Sequence, residues 1–326
     1  MRFVTAVLLA AVCFGTTGTA QALGPEASAA SVGAARILIG GGALGLVALI
    51  LHFAGRRHGA AGTPAAPAPG VGTRHPLPAW LLVAIGAAGV LAYQPAFFAG
   101  TAANGVAVGT VIALGSAPVI TGALDWAIRR RYPGHRWAIA TAIATVGVGI
   151  LAAATGGGEG GSVGAEPLGL AASLGAGASY AVYTLAAKAL LDRGWSSTSS
   201  MGALFGTAAL FSIPVFAVTD ASWLATGPGL AMALWLGLVT TTVAYLLFGY
   251  GLGGLSPATV STLTLAEPLT AAILGVALLG EALTPGALLG LLVLAAGIVV
   301  LASSGGSRRA PSGERRNRLS RGVSRG

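Results

Sequence analysis

Apolar residues run along this chain in continuous stretches of about twenty, broken by short polar or glycine-rich connections, and no period-two alternation interrupts them. A hydrocarbon core of about 30 Å needs roughly 20 apolar residues per helix. Ten runs meet that length: 3–22, 29–53, 78–100, 103–127, 137–155, 168–190, 197–218, 229–251, 256–279 and 285–303. Barrel strands would be about ten residues long and alternating, so the pattern predicts an all-α integral membrane protein with ten transmembrane helices. The first run, with Arg2 before it and Ala20-Gln21-Ala22 at its end, also has the outline of a secretory signal peptide. Removing it would leave nine spans and an incomplete first half.

Composition agrees with the pattern. Hydrophobic residues make up 55% of the 326 and charged residues 8%, with a mean hydropathy of +0.82. A soluble domain with a polar shell is excluded by those values. The single Cys13 rules out an intrachain disulfide and reads as a small packing residue.

Charge predicts orientation. With the N-terminus in the cytoplasm, Arg2, Arg56, Arg57, Arg74, Arg129, Arg130, Arg131, Arg136, Lys188, Arg193 and the arginines after Ser307 all fall on the cytoplasmic side. The opposite connections hold Glu26, Glu159, Glu166, Asp220 and Glu281 and no Lys or Arg. Both termini are therefore expected in the cytoplasm, in a cell inner or plasma membrane. The net charge of +9 does not point to nucleic acid, because the basic tail from 305 to 326 has no aromatic residue for stacking and directly follows a span. It reads as a disordered topology anchor attracted to anionic lipid.

The glycine-rich connection 156–167 lies near the midpoint, with five spans on each side. An odd number of crossings turns the second half over, so a duplicated chain becomes two inverted five-helix repeats, residues 1–155 and 168–304. At an offset of 150 residues Pro118 meets Pro268, Gly147 meets Gly297 and Leu151 meets Leu301. The sequence of span, break and span coincides there over about fifty residues.

Glu267, followed at once by Pro268, is the feature that asks for chemistry. A central acidic residue costs about 2.5–3.5 kcal/mol on the insertion scale. It is read either as a neutral carboxyl hydrogen-bonded to a neighbouring helix or as a cavity group that meets a substrate amine or carries a coupling proton. Tyr93 and Gln94, Tyr180 and Tyr183, and Tyr245 beside Thr240, Thr241 and Thr242 are the other polar or aromatic candidates at membrane depth. Each alone fits interhelical bonding equally well; together they outline a substrate pocket of moderate polarity. Pro118 and Pro268 are the candidate hinges. Arg36 is expected to snorkel or bond backbone, with pairing to Glu267 as the alternative. Asp125 reads as an interfacial charge pair with the neighbouring arginines, and Glu281 as a cap for the last span.

Missing chemistry narrows the classes further. The glycine-rich stretches lack the Lys-Ser/Thr ending of a phosphate-binding loop. His52, His58, His75 and His135 have no Cys or acidic partners at metal-ligand spacing. No cofactor, no metal and no enzymatic activity are expected, and no span carries a filter-like ring.

Pro268, Gly280-Glu281, Leu283-Thr284, Gly290 and Ala296-Gly297 resemble the C-terminal half of EamA-type proteins of the drug/metabolite transporter superfamily. Phe14-Gly15, Arg36 and Ala178-Ser179-Tyr180-Ala181 are similar to weaker marks of the same family. The resemblance spans residues 3–303 and implies ten helices in two inverted five-helix units and outward movement of amino acids or other small polar metabolites. Two positions depart from it: Arg130-Arg131 stands where the second half has Gly280-Glu281, and Phe14 where the family often has Trp. The expectation is a secondary transporter with a small-molecule substrate, membrane lipid and no nucleic acid as partners, a homodimer being compatible with it. A drug exporter and a non-transporting scaffold of the same fold are the alternatives.

Overall fold

A computed structural model describes residues 1–58, 77–130, 132–155 and 166–303, with side chains omitted at 55–58, 106, 107 and 155. The tail 305–326, most of the glycine-rich connection, Arg74, Arg131 and the side chains of Arg56 and Arg57 lie outside the described residues. Within them every element is helical, and ten helices are long and apolar enough to cross a membrane. These are α1 (Arg2–Ala22), α2 (Ala29–Ala54), α3 (Ala79–Gly105), α4 (Val108–Arg129), α5 (His135–Ala154), α6 (Pro167–Leu191), α7 (Ser197–Ala217), α8 (Gly227–Gly254), α9 (Pro257–Leu279) and α10 (Pro285–Ala302). The chain is thus an all-α membrane protein.

The predicted edges differ most between α3 and α4. Thr101 and Ala102, which the pattern assigns to a connection, and Ala103 and Asn104, which it gives to the next span, all continue α3, and the chain turns at Gly105 with φ of 81°. Only glycine adopts that conformation without strain. The hairpin closes so tightly that a Cβ on Gly109 would lie 2.7 Å from the Thr101 Cα.

Helix ends follow local chemistry. Ser196, Thr226, Ser256 and Thr284 each accept an amide hydrogen from three residues on, satisfying donors that a helix start leaves orphaned. The side-chain cap of α10 is therefore Thr284, with the Ala287 amide donating to its hydroxyl at 3.1 Å. That corrects the expectation for Glu281, whose exposed carboxylate folds back against Gly275 of α9.

Packing between helices relies on small residues. Without a hydrophobic drive between helices in lipid, close backbone approach supplies much of the association. On the α2–α7 contact a Cβ at Gly45 would sit 3.2 Å from the Gly206 Cα, and one at Gly206 3.1 Å from the Gly45 Cα. On the α5–α10 contact Gly147 lies against Leu294 and Gly297 against Ala144. α1 packs on α8 and α9, while α6 packs on α3 and α4. Large apolar side chains such as Leu46, Leu210, Phe211 and Leu292 remain more than half exposed and form the lipid-facing surface.

Charged groups collect at the helix ends. At the end carrying Arg129, that guanidinium holds Asp125 at 2.7 Å and Asp192 at 2.6 Å, and Lys188 lies 3.4 Å from Asp192. Lys188 also donates to the Leu252 carbonyl at 2.9 Å, so this network joins α4, α6 and α8. Arg193 donates to the Leu77 carbonyl at the same end. At the other end the Ser31 hydroxyl donates to the Asp220 carbonyl at 2.7 Å, and the Glu166 amide donates to the Asn104 side chain at 2.6 Å.

Candidate functional site

Two of the helices in the second half depart from α geometry: one departure lines a cavity, and the other holds a side chain that lines the same cavity. In α9 the segment Thr264–Ala266 tightens to a 3-10 turn before Glu267. Pro268 has no amide hydrogen and its ring collides with the carbonyl four residues back, while the hydroxyls of Ser261 and Thr262 donate to the Ala258 carbonyl at 3.0 Å and that of Thr264 to Ser261 at 2.9 Å. Side chains that bond backbone in this way weaken a helix ladder. Glu267 consequently opens a new helix in the middle of the span, at the end of the helix dipole that favours negative charge.

In α8 the segment Trp235–Val243 widens to a π-helix. The shifted register turns the Ala244 amide onto Val239, five residues back. Arg36 on α2 uses this opening: its Nη2 donates to the Thr240 carbonyl at 3.1 Å and its Nε to the Thr241 hydroxyl at 2.9 Å. Gly40 and Gly237 bring the two backbones into contact beside it. Such π segments recur at functional sites.

Beside the α9 break lies a cavity of about 230 Å³. Glu267, Tyr93, Gln94, Tyr180, Tyr183 and Tyr245 all line it, as do Arg36 and Phe14. The six candidate side chains are thus brought to one place, from α3, α6, α8 and α9. Tyr183 and Tyr245 share a hydroxyl contact at 3.1 Å and Tyr180 meets the Thr264 hydroxyl at 3.0 Å. Phe14 and Tyr245 ring centroids lie 5.1 Å apart, and those of Phe205 and Tyr245 4.0 Å. Gln94 turns toward α2, where its amide oxygen fills the space over Gly33.

The paired prolines differ. α4 stays helical through Pro118, and its neighbour Ala117 lines the cavity with no break in the backbone. Only Pro268 coincides with a change of helix type. Arg36 meets backbone as expected, yet it does so while lining the cavity, a combination the sequence reading did not assign. Thr17, Gln21, Thr110, Ser261 and Thr264 line it too and were not singled out. Hydroxyl residues within apolar runs were the available signal, but their helix faces are set only by packing. Glu267 enters no ion pair among the described residues, although Arg36 is within its electrostatic reach.

At the basic end Asp125 is paired with Arg129, in agreement with the sequence reading. Among the described residues no group of three or more His, Cys, Asp or Glu side chains is arranged to hold a metal ion.

Comparison with known proteins gives three findings. The EamA-like transporter family matches residues 167–303. The chain is 39% identical over 302 residues, 91% of its length and 93% of the relative's, to the uncharacterized transporter YwfM of Bacillus subtilis. It is 33% identical over 137 residues, 42% of the chain and 44% of the relative, to the threonine/homoserine exporter RhtA of Escherichia coli. A solved crystal structure shares the fold, with a TM-score of 0.71 over 92% of this chain and 98% of that chain at 18% identity.

Proposed function

Since the chain belongs to the EamA-like transporter family, we propose that it is a secondary transporter exporting amino acids or related small metabolites by alternating access between two inverted five-helix halves, residues 1–155 and 168–304. The observation that carries this reading is the cavity itself. It gathers residues from both halves around a mid-membrane helix break whose first residue is an acid, the arrangement that transporters built from repeats use for substrate.

Contacts support the inverted relation of the halves. At an offset of 150 residues the pair Gly147–Leu294 becomes Ala144–Gly297, with partners exchanged. At an offset of 161 the pair Gly41–Phe205 becomes Leu44–Gly202. The packing of α1 on α8 and α9 likewise repeats as that of α6 on α3 and α4. Such exchange is what a two-fold axis between duplicated halves produces.

The cavity lies nearer one end of the bundle. Its lining from α1 to α4 comes from residues such as Gln21, Arg36, Phe98 and Thr110, which lie toward the acidic connections. Toward the basic end the Arg129, Asp125, Asp192 and Lys188 network ties α4 to the end of α6. With that basic end in the cytoplasm, this lining lies toward the outer side.

The name of the threonine/homoserine exporter supports an amino-acid substrate. A volume below the ~300–1,000 Å³ of drug-sized sites supports a small one. Purified protein in liposomes tests the reading: saturable counterflow of labelled threonine or homoserine, or of another amino acid from a panel, is expected. Counterflow of bulky organic cations alone would favour a drug exporter. No counterflow across a broad metabolite panel would overturn transport and leave a scaffold.

A further inference from the structure

Two opposite charges line one small cavity without neutralising each other. Arg36 and Glu267 both face it, yet no ion pair joins them within contact distance. Each is held in place by its own helix irregularity. The π segment of α8 anchors the guanidinium through Thr240 and Thr241, and the break before Pro268 sets the carboxylate at a helix start.

A guanidinium has five N–H donors in a planar fork. Thr241 and Thr240 engage the Nε hydrogen and one on Nη2, so three remain for the cavity. That fork matches a carboxylate. Across from it, the Glu267 oxygens can only accept when ionised, which suits an ammonium. A purely cationic ligand would leave Arg36 facing like charge, and a purely anionic one would do the same to Glu267. A neutral ligand would leave Arg36, and Glu267 whenever it is ionised, without a charged partner, which is costly at membrane depth. While Glu267 is ionised, a ligand bearing both signs meets both demands at once.

We infer that the cavity is a zwitterion clamp, in which Arg36 binds the carboxylate and Glu267 the ammonium of a free amino acid. This rests on the transport reading above and sharpens its substrate class. Phe14, Tyr180 and Tyr245 then surround the ligand's side chain, and the hydroxyls of Thr17 and Ser261 add polar reach. Free amino acids enter the clamp, whereas an amide or N-acylated derivative matches half of it.

The test is ligand-dependent thermal stabilisation of the full chain in detergent, first with the common L-amino acids and homoserine. Each stabilising amino acid is then compared with its amide, which lacks the carboxylate, and with its N-acetyl form, which lacks the ammonium. Wild type is expected to bind both derivatives at least about tenfold more weakly, the loss of a charge-assisted contact. Arg36→Gln should bind the free acid and the amide equally while still penalising the N-acetyl form. Glu267→Gln should do the reverse. Arg36→Lys keeps the charge without the fork and should retain part of the preference for the carboxylate, which separates recognition from damage to folding.

If Arg36→Gln keeps the full preference for acid over amide, or wild type binds the amide as well as the acid, the clamp is overturned. Counterflow of that same ligand in liposomes would leave the transport reading standing. If no amino acid stabilises wild type and an uncharged or singly charged metabolite is counterflowed, the clamp also falls and transport survives. Absence of any counterflow overturns both.

Discussion

Ala117-Pro118 in α4 and Glu267-Pro268 in α9 lie 150 residues apart, and both Ala117 and Glu267 line the cavity. Yet α4 runs on as a helix while α9 changes type. A proline alone therefore does not decide the break. Upstream of Pro268 stand Ser261, Thr262 and Thr264, each of whose hydroxyls takes a backbone carbonyl of its own helix. The corresponding residues upstream of Pro118 are Val111, Ile112 and Leu114, which have no such groups, and the bond there is a longer one, from the Ser116 hydroxyl to the Ala113 carbonyl at 3.3 Å. Downstream in α4 the Thr121 hydroxyl donates to the Ala117 carbonyl at 2.7 Å. Proline removes one ladder bond; competing hydroxyls decide how far the disturbance spreads.

The comparison is broken most directly at its charged residue. Glu267→Gln is expected to reduce saturable counterflow in liposomes by at least about tenfold, with protein still present in the membrane at wild-type level. Adding Ala117→Glu to that variant should not restore transport, because the acid would then stand on an unbroken helix away from the start that stabilises it. Wild-type counterflow by Glu267→Gln over a range of external pH would remove this residue from the mechanism.

A smaller effect should follow from making α9 resemble α4. Ser261→Ala with Thr264→Val removes two competing hydroxyls, so amide hydrogen exchange over residues 264–267 should slow and turnover should fall several-fold. Unchanged exchange would show that Pro268 suffices. Pro118→Ala, by contrast, should leave turnover near wild type.

The two helix ends beyond these segments sharpen the contrast in another way. Arg130 holds φ of 55° and Gly280 φ of 71°, again 150 residues apart. The left-handed turn thus persists although the residue differs, and at Arg130 it carries the strain of a side chain, about 1–2 kcal/mol. Arg130→Gly should raise the unfolding midpoint in detergent, and Gly280→Ala should lower it by a similar amount.

The smallest expected effect lies outside the spans. The Ser222 amide donates to the Asp220 carboxylate at 2.8 Å and the Ser222 hydroxyl at 3.0 Å, holding its pKa below the ordinary aspartate value. A depressed pKa contributes stability above the unfolded value of about 3.9, lost as pH falls through the lower folded value. Asp220→Asn should slightly flatten the acid limb of the midpoint-versus-pH curve, and an unaltered limb would contradict it.

Ten spans were legible because continuous apolar length leaves little choice of structure; Glu267, Gln94, Tyr93, Tyr180, Tyr183 and Tyr245 line one cavity, whereas Thr240, Thr241 and Thr242 do not. What escaped the sequence was rotation and register. Arg36 could be seen inside a span, but not that a π-helix in α8 would present a carbonyl to it. That widening answers the close approach of Gly40 and Gly237, a contact 197 residues apart that no local pattern encodes. Thr17, Gln21 and Thr110 were missed for a related reason, since a hydroxyl or amide in an apolar run fits a cavity or a neighbouring helix equally well. The turn at Gly105 escaped because the break was read at Thr101 and Ala102, which continue the helix.

None of the cavity-lining residues belongs to α5, α7 or α10. The interdigitated glycines of the α5–α10 contact therefore carry architecture without lining the cavity, while α1, α2, α3, α4, α6, α8 and α9 bring its lining. Such division of labour makes the cavity separately evolvable: pocket positions on α3 and α8 can be randomised for new cargo while the α5–α10 seam keeps the scaffold assembled.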